Sequence, residues 1–311
     1  MKLNIKRWLI ENNTLIIFVL MVIFSAIISD SFFTANNISN LLRQTAPVGL
    51  ISFGMLLVIL TGGIDLSVGS VVAAIGVSFA LLSHQVYFPW ALLFSVLIGA
   101  GVGMISGYLV AYQRVAPFIA TLAMMTVVRG TGYLISKGSP ITVGEYSKSI
   151  LSFGSGDFLG IPWSAIVLLI VFALVYLLLK YNAFGRMLIA IGSNEEAVRL
   201  SGISVSKYKF WVYVIIAVFS AIAALLMVSR TGVGTPNIGV GMELDVIAVV
   251  VIGGASLSGG KGSVVNTLLG AFILAMIGNV MNLLDVASYL QQVIKGVIIL
   301  MAVIAQRYQK N

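Results

Sequence analysis

The chain has 311 residues, of which 59% are hydrophobic and 9% charged, against about 45–50% apolar and about 25% charged in soluble domains. With a mean hydropathy of +1.09, this composition excludes a water-soluble fold. The net charge of +8 would suggest nucleic acid in a soluble protein, but here it has first to be read against membrane topology.

Apolar runs bounded by Gly, Pro, Asn or charge predict ten helices: Thr14 to Ser29, Ala46 to Leu60, Ser67 to Leu82, Trp90 to Tyr112, Pro117 to Ile135, Trp163 to Lys180, Lys209 to Ser229, Leu244 to Gly253, Val264 to Leu284 and Ser288 to Ala305. Segments such as Trp163 to Leu179 are apolar on every side, whereas barrel strands alternate. The fold class is therefore all-α, a polytopic membrane bundle of about ten spans. The eighth run is short; starting it near Gly239 lengthens it but carries Glu243 and Asp245 toward the membrane.

Ahead of the first run, Lys2, Lys6 and Arg7 resemble the start of a signal peptide. Ser25 to Thr34 lacks a small-x-small cleavage site, so an uncleaved first helix is expected. After the second run, Gly62-Gly63-Ile64-Asp65-Leu66-Ser67 is echoed by Gly253-Gly254-Ala255-Ser256-Leu257-Ser258. The echo reads either as a parallel internal repeat or as coincidence in a glycine-rich chain. Paired glycines permit sharp turns or close approach, and non-helical backbone at membrane depth survives only when buried in protein or facing water.

In the fourth run, Gly99, Gly103 and Gly107 bare one helix face, suited to close helix packing within the chain or between two copies. In the fifth and tenth runs, Arg129 and Lys295 interrupt apolar helices, at about 2.5–3.5 kcal/mol each near a helix centre. They should face the bundle interior, snorkel to an interface, or pair with Asp65, Glu243, Asp245 or Asp285. Gly62, Gly63, Asp65, Ser67, Arg129, Asp245 and Lys295 are accordingly the candidate pathway or gating residues, with a purely structural ion pair equally compatible.

Between the sixth and seventh runs, Asn194 to Gly202 reads as a short helix. Asn194 caps it, Glu195 and Glu196 complement its positive end, Arg199 lies in its last turn and Gly202 stops it. Ala197, Val198 and Leu200 have no apparent internal partner, so the helix suits either a lipid surface or a docked protein.

With ten spans, the loops on the side of both termini hold Lys2, Lys6, Arg7, Arg114, Lys180, Arg186, Arg199, Lys207, Lys209, Lys261, Arg307 and Lys310; the other side holds Arg43, Lys137, Lys148 and Arg230. By the positive-inside rule both termini are cytoplasmic. Topology thus accounts for the basic excess, and no nucleic-acid partner is expected. The chain has no cysteine and one histidine, His84, which removes thiolate metal sites and argues against a His-based metal cluster or Ser-His-Asp triad. No catalytic, metal or cofactor site is expected. Gly259-Gly260-Lys261-Gly262-Ser263 fails the Walker pattern, with Gly262 where Ser or Thr is required and Ala255 where a Gly is required. Energy must come from an ion gradient or from another subunit.

Four stretches together resemble the permease subunits of bacterial ATP-binding-cassette sugar importers: Leu60 to Ser70, Pro117 to Leu122 through Arg129-Gly130, Asn194 to Ile203, and Glu243-Leu244-Asp245 through Gly259-Gly260-Lys261-Gly262. The resemblance covers nearly the whole chain. It implies one transmembrane permease domain over 1–311, working as a homodimer by alternating access in a bacterial cytoplasmic membrane. The implied partners are a cytoplasmic ATPase that carries ATP and Mg and an extracytoplasmic sugar-binding protein; the substrate would be ribose or a related monosaccharide. It also implies that a loop at about 181–208, through Gly192, Asn194, Glu195, Glu196, Ala197, Val198, Arg199, Leu200, Ser201 and Gly202, couples to the ATPase. Ser193 stands where a glycine is more usual in such permeases. An ion-gradient-driven transporter is the alternative, and the missing nucleophile and base disfavour an enzyme.

Overall fold

The computed structural model describes residues 12–308. Lys2, Lys6, Arg7 and Lys310, counted above for orientation, lie outside them. Each of the ten apolar runs is helical, and the helices in chain order are α1 (Asn13–Ile28), α2 (Ala35–Leu60), α3 (Val68–Leu82), α4 (Phe88–Ala111), α5 (Pro117–Ser136), α6 (Ser149–Ser155), α7 (Trp163–Tyr181), α8 (Ala183–Ser193), α9 (Glu195–Leu200), α10 (Val205–Thr231), α11 (Met242–Ile252), α12 (Val264–Leu283) and α13 (Ser288–Tyr308). Strand is confined, among the described residues, to two antiparallel pairs of two-residue strands. Ile141–Thr142 lies against Val233–Gly234, and Asp157–Phe158 against Ile161–Pro162.

Among the described residues, six helices, α2, α4, α5, α7, α10 and α12, are long and apolar enough to cross a bilayer; α1, α3 and α8 are apolar but shorter. The helical bundle is as expected from composition. By length and composition alone, the described helices establish six of the expected spans of about ten.

The core is built on α2 and α10. From Thr45 to Leu60, α2 is buried at every position except the half-buried Val48, and it packs with Phe53, Leu57, Val212 and Ile216 in the largest apolar cluster. Glycines on α4 let it approach α10. A methyl group on Gly99 would come within 2.8 Å of Ala221 Cβ, on Gly103 within 2.7 Å of Ala217 Cβ, and on Gly107 within 2.7 Å of the Phe210 carbonyl oxygen. This glycine face thus packs within the chain.

The second helix starts eleven residues before the predicted Ala46, at Ala35, with the Thr34 side chain accepting from the Asn37 amide. Asn36, Asn37 and Arg43 lie ahead of the predicted run, and Pro47 lies inside it. In the fold Asn37 Nδ2 donates to Phe32 O at 2.9 Å and to Asn279 Oδ1 at 3.1 Å, so its polarity is satisfied inside a helix pair, and Pro47 is accommodated within the helix.

The third and eighth spans are discontinuous. α3 has 15 residues and α11 has 11, against roughly 20 needed to cross, and each follows a non-helical segment, 63–67 and 233–241. Extending the eighth helix to Gly239 is therefore wrong: Gly239 and Gly241 adopt φ of +72° and +79°, and the helix begins at Met242.

Candidate functional site

Leu60 ends α2 and Ile252 ends α11. Both helices are closed by the same turn. Gly62 N–H donates to Ile59 O and Gly63 N–H to Val58 O; Gly254 N–H donates to Val251 O and Ala255 N–H to Val250 O. With φ of +77° at Gly62 and +79° at Gly254, these are two Schellman caps, the left-handed position falling to glycine because it lacks a Cβ. The echo seen in the sequence is thus a shared capping turn, but its register is shifted by one: Gly62 corresponds to Gly254, not Gly253.

The two turns meet at one end of the bundle. Gly260 N–H donates to Leu60 O at 3.0 Å, and Gly192, the penultimate residue of α8, packs so closely into this corner that a methyl group on it would overlap Leu60 O and Gly260 N. The segment 181–208 is therefore more ordered than a coupling loop with one short helix. It holds α8, capped by Asn182, and α9, capped by Asn194, whose Oδ1 accepts from Ala197 N–H at 3.0 Å. Gly202, at φ +80°, ends α9.

In α9, Val198 departs from expectation. It is buried with Ile191 and Val205 and packs beside Ile203 and Tyr208, so it has an internal role, and the free apolar face is Ala197 with Leu200, which is 78% exposed. Glu195 pairs with Lys209 and Glu196 with Arg199, each at 2.6 Å; the hydrogen bond to Glu196 holds the Arg199 guanidinium above its usual pKa range. Beside α9, a cleft of about 390 Å³ is lined by Arg114, Glu195, Arg199 and Lys209.

Beyond Gly63 the chain turns back into the bundle. Asp65, buried, accepts from Ser67 N–H at 2.8 Å and Ser67 Oγ at 2.6 Å, an Asx-type turn that starts α3. Here α3 runs alongside the second extended segment. A methyl group on Gly69 would overlap the Gly239 carbonyl oxygen and come within 2.6 Å of Glu243 Oε2.

Arg129, from α5, holds this segment from outside. Its Nη1 donates to Pro236 O at 2.9 Å and Ile238 O at 2.8 Å, and Nη2 to Gly239 O at 3.5 Å, while Tyr133 Oη donates to Asn237 Oδ1 at 2.5 Å. Hydrogen bonds to a charged group are worth about 1.5–3 kcal/mol each, enough for two good ones to offset the insertion cost of the arginine. Glu243 Oε2 and Tyr213 Oη are buried with no hydrogen-bond partner. In the sequence Glu243 enters only as a possible partner for Arg129 or Lys295 and Gly239 only as a helix bound, and Tyr213 and Gly69 carry no signal that marks them as site residues. The run Gly234-Thr235-Pro236-Asn237-Ile238-Gly239-Val240-Gly241 was the available signal for the broken helix.

The remaining candidates lie apart. Lys295 Nζ pairs with Asp245 Oδ2 at 3.2 Å, so of the four acids open to Lys295 the fold selects Asp245. Among the described residues, no group of three or more His, Asp or Glu side chains is placed to hold a metal ion.

A family profile described as "Branched-chain amino acid transport system / permease component" matches residues 37–303. The chain is 43% identical over 308 residues to a ribose import permease of Haemophilus influenzae, covering 98% of this chain and 95% of the relative. It is 42% identical over 302 residues to that of Escherichia coli K12, covering 96% and 94%, and 45% identical over 295 residues to that of Bacillus subtilis, covering 94% and 90%. No solved structure matches it. With a profile spanning most of its length and relatives this similar end to end, the chain belongs to the branched-chain amino acid transport system / permease component family.

Proposed function

We propose that the chain is the membrane-spanning permease subunit of an ATP-driven importer of ribose or a related monosaccharide, in a bacterial cytoplasmic membrane. The observation that carries this is identity of 42–45% over nearly the full length to relatives named ribose import permeases; permeases named for L-arabinose are 36–37% identical, so the pentose class is favoured over one particular sugar. Neither the family description nor the relatives' names support the ion-gradient alternative.

The finer reading has four parts. Residues 1–311 form one transmembrane domain that works as a homodimer. Both termini and the α8–α9 region are cytoplasmic, in keeping with Arg114, Arg186, Arg199, Lys207, Lys209 and Lys261 in the adjoining loops and helices. α9 docks to a separate ATPase that binds ATP and Mg, and an extracytoplasmic binding protein delivers the sugar. Gly62, Gly63, Asp65 and Ser67 belong to a gate formed where the two discontinuous spans cross, with Arg129 bracing it; discontinuous helices are where transporters tend to place their pathways.

The test is reconstitution of the chain with its ATPase and binding protein in proteoliposomes. Labelled ribose should accumulate when ATP is supplied, continue after ionophores collapse all gradients, and stop when the ATPase is omitted. Uptake that follows an imposed ion gradient without ATP would overturn the reading.

A further inference from the structure

The cleft beside α9 sits where three helices long enough to cross a bilayer share one end. Ala111 closes α4, Pro117 opens α5 and Val205 opens α10, and all three residues line the cleft. With 27 residues, α10 exceeds the roughly 20 that a span needs, so its first turns, which carry Lys207 and Lys209, project beyond the hydrocarbon. Tyr108, Tyr112 and Trp211, within two turns of these ends, are exposed, and outward aromatic side chains mark the headgroup level of a membrane. The cleft therefore lies at that level.

Its charges do not balance. Arg114, Arg199, Lys209 and Glu195 are the ionisable side chains in its lining. Glu195 neutralises Lys209 and Glu196 neutralises Arg199, whereas Arg114, among the described residues, has neither an ion pair nor a side-chain hydrogen bond. One positive charge is left over, and the hydroxyls of Ser204 and Ser206 in the same lining are also without hydrogen bonds among the described residues.

One surplus guanidinium with two hydroxyl donors complements a phosphodiester, which carries a single negative charge and acceptor oxygens. The cleft, at about 390 Å³, falls in the range of about 300–1,000 Å³ that holds small molecules, so it has room for a whole headgroup. At this level of a membrane a phosphodiester belongs to a phospholipid, and basic pockets between helices bind anionic headgroups. Phe118 and Ile119, in the first turn of α5, expose apolar surface on which acyl chains can lie. An ammonium-bearing headgroup would bring a further cation to a cleft whose only carboxylate, Glu195, is already paired; a glycerol headgroup brings hydroxyls instead. We infer that this cleft binds the phosphoglycerol headgroup of an anionic phospholipid, phosphatidylglycerol, through Arg114, Ser204 and Ser206. The inference needs only that the bundle spans a membrane and is independent of the transported solute.

The full-length chain, purified in mild detergent, is titrated with phosphatidylglycerol and with phosphatidylethanolamine of the same acyl chains, and bound lipid is counted by native mass spectrometry. One phosphatidylglycerol should saturate each chain, about tenfold or more tighter than phosphatidylethanolamine, and inorganic phosphate in excess should not displace it. Arg114→Gln should abolish the preference. Ser206→Asp should do the same without harming the fold, since an acidic side chain suits the first turn of a helix while its charge repels the phosphate. Arg186→Gln, at an exposed cation outside the cleft, should leave the preference intact. Binding that never saturates, or that survives Arg114→Gln and Ser206→Asp, would show a lipid annulus only; displacement by inorganic phosphate would assign the cleft to a free anion; and loss of the lipid when the ATPase is added would make the cleft part of that contact. Each of these results overturns the inference and leaves the permease reading standing.

Discussion

The carbonyl oxygen of Leu60 accepts the Gly260 amide at 3.0 Å, and this hydrogen bond ties the end of α2 to the segment that connects α11 to α12. Gly192 fills the corner behind it. α9 begins three residues later, so it is joined to this corner by a short stretch of backbone.

Gly192→Ala should therefore act as a block between motor and gate. Its methyl group has backbone on both sides, and overpacking of this kind costs about 1–3 kcal/mol, relieved here only by separating Leu60 from Gly260. The variant should insert and bind the ATPase, yet hydrolyse ATP without importing sugar. Hydrolysis and uptake measured in the same proteoliposomes give the ratio that checks this, and an unchanged ratio would remove Gly192 from the linkage.

The two apolar faces of α9 should separate by experiment. Val198→Ala removes part of a buried contact, where full burial of such a side chain is worth about 1.5–3 kcal/mol, so it should lower thermal stability. Ala197→Asp touches nothing internal, but a docked partner would have to bury its charge unpaired, a loss of several kcal/mol. The ATPase should fail to co-purify with Ala197→Asp although the melting temperature is unchanged. Co-purification and transport at full level would return α9 to the role of a lipid-surface helix.

Orientation is checked by two exposed positions at opposite ends of the bundle. Leu159 is 88% exposed at the tip of the Asp157–Pro162 hairpin, and Ser201 follows α9 and is also exposed. In intact cells a membrane-impermeant maleimide should label Leu159→Cys directly and Ser201→Cys only after permeabilisation. The reverse pattern would invert the topology.

The legible and illegible parts of this fold differ for physical reasons. Runs apolar on all sides mark helices whatever they pack against, and all ten are helical, although α3 and α11 are too short to cross alone. Gly62-Gly63 signals one interruption, and for the second, at Gly234 to Gly241, Pro236 and three glycines within eight residues are the stronger breaker signal. Asn37 and Arg43 hide the first eleven of the 26 residues of α2, since the partners that satisfy Asn37 include Asn279, far away in sequence. Six residues of α9 are too few for periodicity to say that Val198 points inward. The choice of Asp245 for Lys295 is a tertiary fact, made across 50 residues. Arg129 leaves no trace of its partners because they are backbone carbonyls, which every residue carries.

Those carbonyls make Arg129 the sharpest test of the gate. Arg129→Met keeps an unbranched apolar side chain in the span and frees Pro236 O, Ile238 O and Gly239 O, leaving the 236–239 segment tied to α5 only through the Tyr133–Asn237 bond. Lysine reaches similar depth with three donors but lacks the planar fork, so Arg129→Lys should keep part of the effect. Two lost charge-assisted hydrogen bonds, at about 1.5–3 kcal/mol each, less the relief of about 2.5–3.5 kcal/mol from removing a charge from the span, leave a small net change in global stability. The segment itself has no such compensation. Hydrogen exchange at Asn237 to Gly241 should rise by an order of magnitude or more in Arg129→Met, less in Arg129→Lys, with helices α2 and α10 unaffected and import reduced in the same order. Unaltered exchange at these amides in Arg129→Met would mean that Arg129 does not hold the segment, and the gate would have to be braced by the Gly69–Gly239 contact alone.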